Sequence, residues 1–319
     1  MKPTIGIVIP AYGRGRHLRA TLESALAQTR PAEEIIVVDD ASPDETGDVA
    51  KFFSSAGVIY HRNEHNLGVP ANYNKVLALT TTDYVMILED HDILEPRFLE
   101  ECAGLLDQHH EMTIATSDTI EIEEQTGKEI RVVRREFPTV QPAGDLARWI
   151  LTTLVSPITL VNLIRRSALS GLEPWFDPRY WWYTDLHLWI RLSIRGTVGY
   201  VHEPLMRLRG REEGHFLDDK VYETLICIDR IVRDDWGLVY PSRSIEHYLA
   251  RMSYVLHRDN GILRAALWLF LRGQNNVPPE IRDRLSLPAR LALRGVSVMP
   301  IGLANMLRRA VRTVRKIRR

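Results

Sequence analysis

Residues 34–45 read Glu34-Ile35-Ile36-Val37-Val38-Asp39-Asp40-Ala41-Ser42-Pro43-Asp44-Glu45. A short unbroken apolar run that ends at turn residues is the pattern of a strand buried on both faces. Ser42 can cap a helix, Pro43 suits a first helical position and Glu45 closes a capping box, so a helix is expected from about Ser42. On the N-terminal side, Ile5 to Ile9 reads as another buried strand and Arg16 to Gln28 as an amphipathic helix. On the C-terminal side follow a strand over Val58 to His61, a helix over Val69 to Leu79 and a strand over Tyr84 to Leu88. Strands separated by helices imply a parallel sheet with right-handed crossovers. The expected class is α/β, a Rossmann-like open, mostly parallel sheet flanked by helices.

Ligands of such sheets bind at the carboxyl ends of the strands. That rule selects three places: Pro10-Ala11-Tyr12, Asp39-Asp40 and Glu89-Asp90-His91-Asp92. Adjacent carboxylates at a strand end repel unless something compensates. Asp39 and Asp40 therefore either meet a nucleotide base or ribose or bond the backbone of a turn. Three carboxylates and an imidazole within four residues suit a cation, and an oxygen-rich set with one nitrogen suits Mg²⁺ or Mn²⁺. The bland reading of that cluster is a solvated loop ahead of a helix near Pro96.

Further along, strand-like runs cover Thr113 to Ile122, Ile130 to Val133 and Ile158 to Ile164, with a hairpin signal at Gln125-Thr126-Gly127-Lys128. A helix is expected over Asp185 to Ile194. Beyond Gly214 the pattern is helical, over Phe216 to Val232, Ile245 to Leu256 and Ile262 to Leu271. From Ser286 to Arg319 there is no acidic residue. Leu303, Met306, Leu307, Ala310, Val311, Val314 and Ile317 make one stripe at helical spacing there, with the arginines largely off it. A basic amphipathic helix suits an anionic membrane surface, and the alternative is docking on its own domain.

The 319 residues balance 41 Lys and Arg against 41 Asp and Glu, so no overall basic field favours nucleic acid. Two cysteines make no disulfide framework, and a reducing cytosol is expected. No apolar run reaches about 18 residues, the length of a membrane span, and the N-terminal run is too short for a signal peptide.

These stretches together resemble family-2 glycosyltransferases of the GT-A fold. Ile5 to Arg16 is similar to the family opening I-V-I-P-x-Y-N, and Leu26-Ala27-Gln28-Thr29 and Ile35 to Ser42 are similar to its next blocks. Asn66-Leu67-Gly68 with Asn74 resembles its N-x-G…R-N stretch, and Glu89 to Pro96 lies where its D-x-D motif lies. Trp182 to Arg191 resembles its later E-D-x-x-L-W-x-R helix. The resemblance spans roughly residues 4–212 in order. Departures are Gly13 for Asn, Tyr73 for Arg, Thr184 for Glu, and His91 at the usual metal-binding Asp.

The resemblance implies an inverting transferase that moves a sugar from a nucleotide-sugar donor of UDP, GDP or dTDP type to an acceptor hydroxyl. Under it Asp185 is the general base, although an acid at a helix start can also merely complement the dipole. Pro10, Ala11 and Tyr12 frame the base, and Asp39, Asp40, Asn74 and Asp90 meet the donor. Asp90, His91 and Asp92 hold Mn²⁺ or Mg²⁺, with His215 as a further candidate. The acceptor would be a glycan or lipid-linked saccharide, with the protein in the cytoplasm on the inner face of the membrane. The expected division is a catalytic domain over 1–215, split at 112/113 into donor and acceptor halves, and a helical region over 216–319. Two rivals stay open. One is a sugar nucleotidyltransferase, for which Gly13-Arg14-Gly15-Arg16 is a faint echo of a phosphate loop; the other is a non-catalytic binding subunit.

Overall fold

The computed structural model describes residues 2–153, 156–210 and 221–240. Strand β1 (Ile5–Ala11) is buried along its whole length, because it has a neighbour on each edge and apolar cover on each face. Helix α1 (Gly15–Leu26) leads to β2 (Glu34–Asp39), α2 (Thr46–Phe52) to β3 (Val58–Arg62), and α3 (Val69–Leu79) to β4 (Tyr84–Ile87). These four strands lie in the order β3-β2-β1-β4 and are all parallel. At Gly6 the chain leaving α3 passes so close that a Cβ would stand 2.6 Å from the hydroxyls of Thr80 and Thr82.

A two-residue strand β5 (Ile93–Leu94) and α4 (Phe98–Gln108) come next. The rest comprises β6 (Met112–Glu123), β7 (Glu129–Val133), β8 (Val140–Gln141), α5 (Asp145–Thr153), β9 (Leu163–Arg165), α6 (Thr184–Ser193), β10 (Thr197–Gly210) and α7 (Val221–Val239). Strand β9 is antiparallel to both β4 and β6 and joins the two halves in one sheet. Strand β10 runs parallel to β6 and antiparallel to β5, and the turn over 125–128 closes the expected β6–β7 hairpin.

Alternation along the strands feeds two apolar layers. Val8, Val38, Val85 and Ile87 share one with Val76, Ile150 and Trp189; Ile7, Ile9, Val37 and Met86 share the other with Leu18, Leu22 and Leu99. Ile231, Val232, Trp236 and Val239 of α7 belong to the first layer. Helix α7 therefore completes the core of the preceding residues, although the expected division assigns it to a separate C-terminal region.

Two local expectations are corrected. Helix α2 begins at Thr46, not near Ser42, and its first turn is met by Asp44, whose Oδ1 accepts from the Thr46 amide at 3.2 Å and hydroxyl at 2.5 Å. Ser42 is used elsewhere: its amide donates to Asp39 Oδ1 and its hydroxyl oxygen accepts from the Gly13 amide. The strand expected over Ile158 to Ile164 shrinks to Leu163–Arg165. Ser156 Oγ bonds the backbone of Ile158 and Asn162 Nδ2 bonds the Thr159 carbonyl, local contacts that compete with a ladder.

Candidate active site

The carboxyl ends of β1, β2 and β4 converge where the strand order switches between β1 and β4, the place such sheets bind ligands. Tyr12, first beyond β1, is half exposed, with Pro10 and Ala11 buried behind it. Its amide donates to Asp90 Oδ2 at 3.0 Å, so the chain after β1 is tied to the chain after β4.

Asp39 is spent inside the protein. Oδ1 accepts from the Ser42 amide, and Oδ2 accepts from the Tyr60 hydroxyl at 2.7 Å and from the Arg62 guanidinium. Asp40 braces the next loop: Oδ1 accepts from Asn63 Nδ2 at 2.7 Å and the Leu67 amide at 2.8 Å, and Oδ2 from the Gly68 amide at 3.0 Å. The repulsion expected of this pair is thus relieved by neutral protein donors on both acids and by the Arg62 cation on one. Asn74 is bonded to backbone groups. Its amide hydrogens go to the Pro70 and Phe176 carbonyls, and its oxygen takes the Phe176 amide at 3.0 Å. Its visible work is to pin the 170s segment to α3.

The acidic run after β4 sorts itself differently from the expected set of Asp90, His91 and Asp92. Glu89, His91 and Asp92 each bring one ligand atom to within 4.8 Å of the others. Asp90 stands outside that set, with Oδ2 on Tyr12 and Oδ1 3.1 Å from His91 Nδ1. The Tyr12 amide takes one oxygen of Asp90, and Glu89 takes the place in the closely spaced set that the sequence reading gave to Asp90. Octahedral Mg²⁺ or Mn²⁺ ligands at about 2.1 Å lie roughly 3 Å apart when adjacent and about 4.2 Å apart when opposite, so the donor set has the chemistry for a divalent ion and its side chains would draw together around one. Burial, opposed by His91 and reinforced by Glu89, pushes Asp92 up to about 7. Burial disfavours a charged His91, but Asp90, Asp92 and Glu89 outweigh it and hold the ring above its ordinary value. A buried Asp92 with a raised affinity for protons, crowded by Glu89, makes a setting in which a divalent cation is also favoured.

Asp185 lies in the first turn of α6, partly buried and within the field of Glu89. Burial pushes it up to about 6, the amide of Leu186 works against the shift, and the charge of Glu89 adds to it. Tyr73, the departure from Arg, is close to these groups. Its hydroxyl donates to Glu89 Oε1 at 3.3 Å, and burial with the charges of Glu89, Asp90 and Asp185 holds its proton on. His187, two residues after Asp185, serves packing: Nδ1 lies 2.7 Å from Asp235 Oδ2 on α7.

Three participants carry no mark of their own in the sequence. Glu89 is one acid of a run whose register alone does not say which carboxylates face inward. The Arg209 amide, which donates to Asp92 Oδ1 at 2.9 Å, arrives from β10, 117 residues away. Arg14 places Nη1 2.5 Å from His91 Nδ1, and its only signal is the Gly13-Arg14-Gly15-Arg16 run. That run is no phosphate loop, since the Gly13 amide is taken by Ser42 Oγ and the Gly15 amide by Asp44 Oδ2. His215 and the basic tail lie outside the described residues.

With this geometry in place, comparison decides the family. Residues 6–171 match the model of glycosyl transferase family 2. The chain belongs to that family. It is 27% identical over 211 residues to EpsE of Bacillus subtilis, which carries the name of a glycosyltransferase; the match covers 65% of this chain and 73% of that one. An uncharacterised glycosyltransferase of Rickettsia typhi is 24% identical over 208 residues, covering 65% of this chain and 64% of its own. Among solved structures, TarS residues 1–349 of S. aureus in complex with UDP-GlcNAc superposes with a TM-score of 0.61 at 15% identity, over 97% of this chain and 92% of that one. The UDP complex of the same TarS fragment gives 0.59 at 15% identity, over 97% and 91%. The fold of this glycosyltransferase is GT-A.

Proposed function

We propose that this glycosyltransferase transfers a sugar with inversion from a nucleotide-sugar donor to a hydroxyl of a glycan or lipid-linked saccharide, with a divalent cation and Asp185 as the base. The observation that carries the reading is Asp185 at the head of α6, in the field of Glu89, which itself belongs to the set with His91 and Asp92. The UDP and UDP-GlcNAc of the TarS complexes support a nucleotide-sugar donor here. Glu89, His91 and Asp92 would hold Mn²⁺ or Mg²⁺, which neutralises charge on a leaving diphosphate. The acceptor oxygen bonds to the anomeric carbon as the bond to the diphosphate breaks, and its proton passes to Asp185. A base poised near the working pH is worth about 10²–10⁴-fold. Tyr12 offers its exposed ring to the base, framed by Pro10 and Ala11, and Asp40 Oδ2 keeps a lone pair for the nucleoside. Asp39 and Asn74 stand behind as braces.

Among the described residues no helix is long and apolar enough to cross a membrane. The basic amphipathic sequence over 300–319 is our candidate for holding the protein on an anionic membrane surface, and loss of vesicle binding on its deletion tests that. Calorimetry with UDP, GDP and dTDP, each with and without Mn²⁺, tests the donor reading. Nucleotide binding that ignores Mn²⁺ overturns the metal-assisted form. Proton NMR of the product decides inversion, and retention of the donor's anomeric configuration would refute it.

A further inference from the structure

Arg14 is held by the backbone around it. Gly13, at φ +66°, donates its amide to Ser42 Oγ, Gly15 donates its amide to Asp44 Oδ2, and the Arg14 carbonyl accepts from the His17 and Leu18 amides. The side chain is not part of that backbone bracing, and it reaches into the acidic cluster. Nη1 lies 2.5 Å from His91 Nδ1 and 3.9 Å from Asp90 Oδ1, with the side chain 27% exposed.

This arrangement conflicts with an occupied cation site in two ways. A divalent ion on Glu89, His91 and Asp92 would put two positive charges beside the guanidinium, at separations where like charges repel strongly in a partly buried cleft. A neutral His91 that ligated through Nε2, the nitrogen 3.9 Å from Asp92 Oδ1, would also carry its hydrogen on Nδ1, which could then donate to Asp90 but could not accept from Arg14. The ring is shared between two partners of which one must withdraw.

We infer that Arg14 is a tethered counter-ion: its guanidinium neutralises the acidic cluster before ligands arrive, is expelled when the divalent ion enters, and then binds the donor's diphosphate. The inference rests on the metal-assisted reading and deepens it. A diphosphate is the anion that the reaction brings to this cleft, and a guanidinium binds phosphate oxygens through paired N–H donors. The consequence is coupling. The cation alone must displace Arg14 without return, whereas cation and nucleotide together give the displaced guanidinium a partner. Each then strengthens the other by the same factor.

The test is the affinity of the full-length protein for Mn²⁺, read from the spectrum of free Mn²⁺, alone and with saturating UDP, GDP and dTDP in turn. Wild type, Arg14→Gln and Arg14→Met are compared, with circular dichroism confirming that each is folded. In both variants Mn²⁺ alone should bind roughly tenfold tighter, and the factor by which the nucleotide strengthens Mn²⁺ binding should fall roughly tenfold, inside the usual span of such couplings. Unchanged or weaker binding of Mn²⁺ alone in both variants shows that Arg14 does not compete, and overturns the inference. Tighter Mn²⁺ with undiminished coupling shows that the diphosphate does not receive the guanidinium, and overturns it as well. A wild type that binds no Mn²⁺ under any condition sinks the metal-assisted reading and this inference with it.

Discussion

The Tyr12 amide and the Asp90 carboxylate meet at 3.0 Å across the gap between β1 and β4. That bond occupies one oxygen of Asp90, while Glu89, His91 and Asp92 bring their ligand atoms to within 4.8 Å of one another. With one Asp90 oxygen on Tyr12 and the other beside His91, the residue is placed to orient ligands without being one. Glu89→Gln and Asp92→Asn should each weaken Mn²⁺ binding by about 100-fold or more, and Asp90→Asn by about tenfold, the scale of an outer-shell partner. Titration of Mn²⁺ against the three variants checks the order. If Asp90→Asn gives the largest loss, Asp90 is itself a ligand and its bond to Tyr12 yields to the cation.

Asp40→Ala should destabilise the fold as well as weaken donor binding. The substitution takes one acceptor from the Asn63 side-chain amide and from the Leu67 and Gly68 backbone amides, of which Asn63 keeps Asn72 Oδ1 and Gly68 keeps Asn66 Oδ1. Losing a charged acceptor that ties three donors together puts the cost at about 1–3 kcal/mol. Asp40→Asn should do nearly as badly, because its NH₂ would meet N–H donors. Urea unfolding measures this, and wild-type midpoints for both variants would show that the loop holds without Asp40.

Strands β1 to β4 and helix α3 are legible in the sequence because continuous apolar runs and helical spacing act locally, and α3 spans the expected Val69–Leu79. Asp185 is legible from its family block. The approach of Glu89 to it is not, because that depends on tertiary packing. The same limit hides β10, whose partners β6, β8 and β5 are all distant in sequence. Asn74 is placed by its motif, but its bonds to Phe176, 102 residues away, are not written there. Ser42 has the chemistry of a helix cap, but Asp39 and Gly13 already engage it, and so α2 starts later.

The contact of His187 with Asp235 holds α6, and with it Asp185, to α7. Both side chains are over nine-tenths buried, so neither can turn to water for a substitute. A double-mutant cycle of His187→Ala and Asp235→Ala should give a coupling of about 1–3 kcal/mol in urea unfolding. Purely additive losses would mean that the two side chains contribute separately and that the apolar face of α7 does the docking.

Asp185 is where stability and activity pull apart. Its carboxyl is pushed from 3.8 in an ordinary setting up to about 6 by burial first, against the Leu186 amide, with Glu89 adding to the rise. Only the carboxylate can take the acceptor's proton. Turnover should therefore fall as pH drops through about 6, tenfold for each further unit, provided the nucleotide and cation stay bound. Stability runs the other way. The folded state holds this proton more tightly than the unfolded chain, so the ionised residue costs stability above pH 6, and that cost is relieved as pH falls from 6 toward 3.8. The size is about 3 kcal/mol. Asp185→Asn removes the charge and keeps the shape. At neutral pH it should lose about 10²–10⁴-fold in turnover, keep its nucleotide affinity and unfold at a higher urea concentration than wild type. Loss of turnover together with gain of stability is a pattern that misfolding cannot produce. Near-normal turnover in the variant would remove Asp185 from the chemistry, and an unchanged urea midpoint would show that its ionised form is solvated better than its burial implies.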